Sequence, residues 1–411
     1  MSTFQRTLAV TLAAACLAGC AAEGKRSEAE FKAAAAEFSD DLVADYTEIR
    51  RITIEAAERK LQAWRDGDRD RQPTLDILIL SAGGADGAFG AGFLQGWGEY
   101  YDPTLARPRF DRVTGVSTGA LMAPYAMIGT DEAYATLADL YANPSPSWVK
   151  GSALLAVLGG KPALMNNSGL NRLVREQITP DILTQIAPAV DNAGIMLVGA
   201  TNLDLGRFRV FDLTKVAAEG NEKLFEDIIL ASSAIPGVFP PVEVEGWNYT
   251  DGAAVANLFL GVDRDLIWRE EGGPWWDAER DAELGTPKLR VRHWVIVNGK
   301  LRLDDEQIEL KWSSVGRRGL QQLIQAANIR SLQQLEVMRR LASRRPDVEF
   351  EIYWVAIPPE ADLPESNGMF DKTYMRALLE LGRTMGRDPS SWHTESPLLE
   401  LDWNRTETAG Q

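Results

Sequence analysis

The sequence predicts an α/β fold built on a parallel sheet, and three observations carry the prediction. Residues 75–80, Leu-Asp-Ile-Leu-Ile-Leu, form an almost wholly apolar run of strand length, as expected of a central strand buried on both faces. A glycine-rich stretch over residues 81–94 follows at once and opens a helix. A second short strand then delivers Gly115-Val116-Ser117-Thr118-Gly119 into a helix of small and apolar residues. Two strand, turn and helix units in succession put both turns at one edge of a parallel sheet, facing each other.

Length and composition agree with a globular chain. Its 411 residues, 45% hydrophobic and 25% charged, suffice for a sizeable core. The formal net charge of −16 excludes non-specific nucleic-acid binding and electrostatic docking on anionic lipid, both of which need basic patches. No repeat stands out, and no apolar run beyond the N-terminus is long enough to span a bilayer.

The chain begins with a secretory pattern. Arg6 is the only charge in residues 1–19, an apolar run covers 8–18, and Leu17-Ala18-Gly19-Cys20 resembles a bacterial lipobox. That resemblance implies cleavage before Cys20, acylation of its thiol, and a membrane anchor at the mature N-terminus. With Ala21 rather than aspartate next, it also implies an outer-membrane lipoprotein facing the periplasm. An ordinary cleaved signal with an incidental cysteine is the other reading. In the lipobox reading Cys16 leaves with the signal, and the mature chain has no free cysteine and no disulfide.

From residue 27 to about 65, apolar residues recur every three or four positions (Phe31, Ala34, Phe38, Leu42, Tyr46, Ile49), predicting one amphipathic helix or two. The charged stretch 65–73, closed by Pro73, reads as a linker, which places a lipid-anchored helical segment at 20–73 and the start of the main domain at 74. In the glycine-rich stretch, Gly83, Gly84 and Ala85 offer bare amides, and three uses compete: a phosphate or dinucleotide cradle, an oxyanion hole, or close packing of helix on sheet. A Walker loop would need Gly-Lys-Ser/Thr, and no lysine is present. The dinucleotide pattern fails at its third glycine after Gly90-Ala91-Gly92.

The Gly-x-Ser-x-Gly turn lifts a serine hydroxyl clear of the sheet at a helix N-terminus, where unpaired amides favour developing negative charge. A tight βα turn without chemistry would look the same in isolation. Helices are expected at 120–128 and 131–143. Residues 144–165 are an apolar Pro- and Gly-flanked stretch tipped by Trp148, read as a lipid-meeting lid or as buried core. Ser168 reads as the N-cap of a helix to 178, and Thr179-Pro180 as a cap with proline at the first helical position. Residues 195–201 and 207–211 read as paired strands across Asp204-Leu205-Gly206, and a helix is expected at 222–231. Later strands are expected at 290–298 and 348–357, and helices at 319–341 and 370–385. Residues 391–411 read as a polar tail.

These blocks together resemble the patatin-like phospholipases. The resemblance rests on Gly83-Gly84-Ala85 with Gly87 and Gly92, on Gly115-Val116-Ser117-Thr118-Gly119, on the segment 231–242 with its Phe239-Pro240-Pro241, and on Asp251-Gly252-Ala253. It covers residues 74–260, within a domain expected over 74–390. It implies a three-layer α/β/α sheet and a lipid acyl-ester hydrolase of the lipase, phospholipase A or lysophospholipase kind. It also implies Ser117 as nucleophile, Asp251 as base, an oxyanion hole of Gly83, Gly84 and Ala85, and no cofactor or metal. Where the family commonly has Lys or Arg in the glycine loop, this chain has Asp86, which puts preference for anionic head groups in doubt. Asp86 facing solvent or capping the helix is the alternative.

Two other readings stay open. Ser117, Asp251 and His393 follow the chain order of an α/β-hydrolase triad, although His293 falls in a strand and His393 in the tail. A lipoprotein that keeps the fold but binds lipid without hydrolysing it is the non-enzymatic reading. With two histidines and no mature thiolate pair, a tetrahedral zinc site has nothing to form from.

Overall fold

The computed structural model describes residues 26–99, 105–145, 147–149, 163–259, 285–345 and 347–395. The signal segment, Cys20, most of the 144–165 stretch and the end of the tail lie outside them. The described elements are α1 (Glu28–Arg65), β1 (Thr74–Leu80), α2 (Gly87–Gly98), β2 (Arg112–Gly115), α3 (Thr118–Ile128), α4 (Asp131–Ala142), α5 (Ser168–Gln177), α6 (Pro180–Ile186), β3 (Ile195–Asn202) and β4 (Arg207–Asp212). Then come α7 (Leu213–Ala218), α8 (Glu222–Ser232), β5 (Val242–Val244), β6 (Trp247–Asp251), β7 (Leu289–Lys300), α9 (Trp312–Ala342), β8 (Val348–Ile357) and α10 (Lys372–Gly386).

The chain divides into two compact units, Met1–Ala44 and Asp45–Gln411. In the second unit the strands form one sheet in the order β5-β6-β3-β2-β1-β7-β8, with β4 also on β3. Strands β8, β7, β1, β2 and β3 are parallel neighbours. Because β1 alternates faces, Leu75, Ile77 and Ile79 join a core with Ala57 and Leu61 of α1 and with Leu332 and Leu335 of α9. On the opposite face Phe93 and Trp97 of α2 meet Trp294 and Trp392. The result is a mixed α/β domain with its sheet flanked by helices, as the sequence predicts.

The second half of α1 buries its apolar face in the same core as β1. Trp392 is packed among aromatic rings, and His393 exchanges two backbone hydrogen bonds of 2.9 Å with Trp354 of β8. One detail differs from the sequence reading. Ser168 is the first residue of α5 and not its cap; Asn167 holds the cap position without a side-chain bond. Trp148 is buried, edge-on to Phe370 at 5.5 Å.

Candidate active site

Strand β3 organises the site. One of its edges pairs with β4 along residues 197–202, so β2 and β6 must share the other edge, β2 beside Ile195 to Val198 and β6 beside Ala200 to Asn202. Strand β2 stops after four residues, and β6 arrives antiparallel in the space it vacates, ending with Asp251 opposite Ala200. The serine corner after β2 and the end of β6 are thereby brought together from positions 134 residues apart in the chain.

Ser117 sits at the corner with φ 54° and ψ −119°, a conformation that costs a non-glycine residue of order 1–3 kcal/mol. Its surroundings hold it there. The Ser117 amide donates to Ser232 Oγ at 2.9 Å, and that hydroxyl donates onward to Gly199 O at 2.7 Å. The Val116 amide donates to Leu80 O at 3.3 Å. A Cβ at Gly119 would lie 2.4 Å from Leu80 O, so only glycine lets α3 leave the corner this close to β1.

Asp251 is 4% exposed. Its amide donates to Ala234 O at 2.8 Å, and its Oδ1 accepts from the Ala253 amide at 2.9 Å. The Ser117 hydroxyl lies against the carboxylate. Burial pushes the Asp251 carboxyl up to about 6, while the bonds from Ser117 and Ala253 favour the charged form and pull the other way. A buried carboxylate with raised basicity touching a serine hydroxyl can accept that hydroxyl's proton.

The glycine turn faces this pair. Among the described residues, the amides of Gly83, Gly84 and Ala85 have no protein acceptor. The turn is fixed from β7, where a bulge between Val297 and Lys300 presents Asn298 to the end of β1. The Asn298 amide donates to Ser81 Oγ at 2.8 Å and its Nδ2 donates to Ser81 O at 2.9 Å. Gly83 packs so tightly on Asn298 that a Cβ would lie 2.1 Å from its carbonyl oxygen. Sequence reasoning missed both Ser232 and Asn298. Ser232 lies in the 231–242 block quoted above, whereas nothing local marks Asn298.

From Gly84 and Ser117 an apolar cleft opens. Thr118, Leu121 and Tyr125 of α3 line one side, and Leu170, Leu173, Val174 and Gln177 of α5 the other, with Trp148, Phe239 and Phe370 among the remaining walls. Among the described residues no three His, Cys, Asp or Glu side chains converge to hold a metal ion. No described helix is long and apolar enough to cross a membrane.

Residues 78–262 match the family model for patatin-like phospholipases. This stretch is a patatin-like phospholipase domain. It contains the glycine turn, the serine corner and Asp251, and the family's general activity, lipid acyl hydrolysis, comes with it. No curated protein matches the chain. Among solved structures it is similar to VipD from Legionella pneumophila, at 12% identity with a TM-score of 0.33, over 78% of this chain and 68% of that one.

Both histidines sit in the β7–β8 half of the sheet. His293 is fully buried in β7, stacked on Phe350 at 4.2 Å and paired with Ile77 in mid-sheet. His393 pairs with the outer edge of β8, four strand spacings from β2, which at about 4.8 Å per spacing is roughly 19 Å. Asp86 neither faces solvent freely nor caps α2. Its Oδ1 accepts from the Tyr374 hydroxyl at 2.8 Å and makes no cap bond. Burial of its carboxyl raises it to about 6 against the pull of Tyr374 and the Lys300 charge.

Proposed function

We propose that the chain is a serine acyl-ester hydrolase acting on lipids through a Ser117–Asp251 dyad. Asp251 takes the Ser117 proton as Oγ attacks the ester carbonyl. The carbonyl π electrons move onto oxygen, and the amides of Gly83, Gly84 and Ala85 hold the oxyanion. Collapse of this intermediate breaks the ester C–O bond, the proton passes from Asp251 to the leaving alcohol, and an acyl-serine remains. Water, deprotonated by Asp251, then releases the fatty acid and restores the serine. The observation that carries the reading is a strained serine against a buried carboxylate, beside unpaired amides, at one end of an apolar cleft. With Asp86 where the family has a cation, neutral or zwitterionic lipids are the proposed substrates. Cys20 is the proposed lipid attachment, placing the enzyme on the outer membrane facing the periplasm.

Ser117→Ala and Asp251→Asn should each lower kcat on p-nitrophenyl butyrate by at least about a thousandfold, with His393→Ala unaffected. A fluorophosphonate probe should label wild type and not Ser117→Ala. Labelling and hydrolysis that persist in Ser117→Ala would remove the proposal. Palmitate incorporation that survives Cys20→Ala would remove the anchor alone.

A further inference from the structure

The cleft has a readable length. Its lining residues Ser117, Thr118, Leu121 and Tyr125 fall on one face of α3 and its N-terminal corner, and Leu170, Leu173, Val174, Gln177 on one face of α5. The two helices therefore run alongside it. At one end stand Ser117 and Leu170, the latter packed with Trp148 and Phe239. At the other end the Tyr125 hydroxyl donates to Gln177 Oε1 at 3.1 Å, joining α3 to α5 across the cleft. Tyr125 is buried, and burial holds its hydroxyl protonated, up to about 12, so the bridge persists throughout the working pH range.

Tyr125 is eight residues along from Ser117, which at 1.5 Å per residue is about 12 Å. An extended hydrocarbon with bonds of about 1.52 Å and angles near 111° advances roughly 1.25 Å per carbon, so this span holds about eight to ten carbons. We infer that the enzyme is selective for medium-chain acyl esters, with the Tyr125–Gln177 bridge as the floor of the acyl site and Leu121 partway down its wall. The inference rests on the Ser117 reading and adds the acyl class and the residues that set it. Apolar lining rewards each carbon that fits, up to about fourfold in kcat/KM per buried methylene. Beyond the floor a longer chain must leave its end in water or break the bridge.

The test is the chain-length profile of the full protein on p-nitrophenyl esters from C2 to C16, dispersed in one detergent. Wild type should peak near C8 to C10 and fall at least tenfold by C16. Tyr125→Ala, which removes the floor, should move the peak to C12 or longer. Leu121→Trp, about 6 Å from the corner, should move it to about C4, and it serves if Tyr125→Ala does not fold. A Ser117-dependent activity with a flat profile, a wild-type peak at C14 or longer, or the same fractional loss on every ester in Leu121→Trp would overturn the inference alone. Hydrolysis independent of Ser117 would overturn the function beneath it as well.

Discussion

Gly83 and Gly92 stand nine residues apart in one glycine-rich stretch, and a methyl group on either would strike a backbone carbonyl at nearly the same distance: 2.1 Å from Asn298 O and 2.0 Å from Leu379 O. The two collisions mean different things. At Gly83 the neighbour is the β7 bulge that fixes a turn of unpaired amides. At Gly92 it is α10, which crosses α2 so closely that Gly382 in turn packs on Phe89 O. The first half of the stretch shapes the proposed reaction site, and the second half is a seam between two helices. Of the three uses open from sequence, close packing and the proposed oxyanion hole would fall to separate residues. A glycine-rich run is therefore ambiguous only until its neighbours are known.

The largest expected effect sharpens this contrast. Gly92→Leu must push α2 off α10 and should cost about 3 kcal/mol of stability or more in urea melts, while activity per folded molecule stays within about threefold. Gly83→Ala should do the reverse. By displacing the turn it should lower kcat by about a hundredfold to a thousandfold, the typical cost of losing one oxyanion donor, with KM little changed. Equal losses of stability and of activity in both variants would erase the distinction.

Asp251→Asn should separate chemistry from stability in the same molecule. The folded-state carboxyl is raised from 3.8 to about 6, so the native state holds a proton that the unfolded chain releases between these values. The stability this contributes is complete below pH 4 and is lost as pH rises through 6. At pH 7 the deprotonated carboxylate therefore costs about 3 kcal/mol, which an uncharged asparagine does not incur. The variant should be inactive yet more stable than wild type at pH 7, with the gap closing towards pH 4. Wild-type activity should fall as pH drops through about 6. A variant less stable than wild type at pH 7 would contradict the burial argument.

Asn298→Ala tests how far the turn depends on a residue outside the family segment. Loss of the Nδ2 bond to Ser81 O should lower kcat about tenfold to thirtyfold, with KM within twofold and an equal loss of affinity for a trifluoromethyl ketone. An effect on stability alone would make Asn298 structural.

Asn298 also marks where the sequence stopped being legible. Ser117, Asp251, the 195–212 hairpin and strand 348–357 each carry a local pattern: a glycine-flanked corner, a turn after a proline-rich block, or an apolar run of strand length. Asn298 acts only because the sheet order sets β7 beside β1, more than two hundred residues away, and no local pattern records that. The same holds for Trp392, in a segment whose polar neighbours read as a tail.

The smallest expected effect concerns the point where seam and site touch. Tyr374 belongs to α10, and its hydroxyl reaches Asp86, between the turn and α2. Tyr374→Phe removes a donor that favours the charged carboxylate, so the Asp86 carboxyl should rise further above about 6. At pH 7, where Asp86 is charged, the net loss should be about 1 kcal/mol, read as a fall in Tm of roughly 2 °C. It should shrink below pH 4, where the carboxyl is protonated in both folded and unfolded chains. If α10 only packs, kcat on a short ester should stay within threefold of wild type. A tenfold fall in kcat at unchanged Tm would mean instead that the seam helps to aim the amides of the turn through Asp86, and the two halves of the glycine stretch would then be one device.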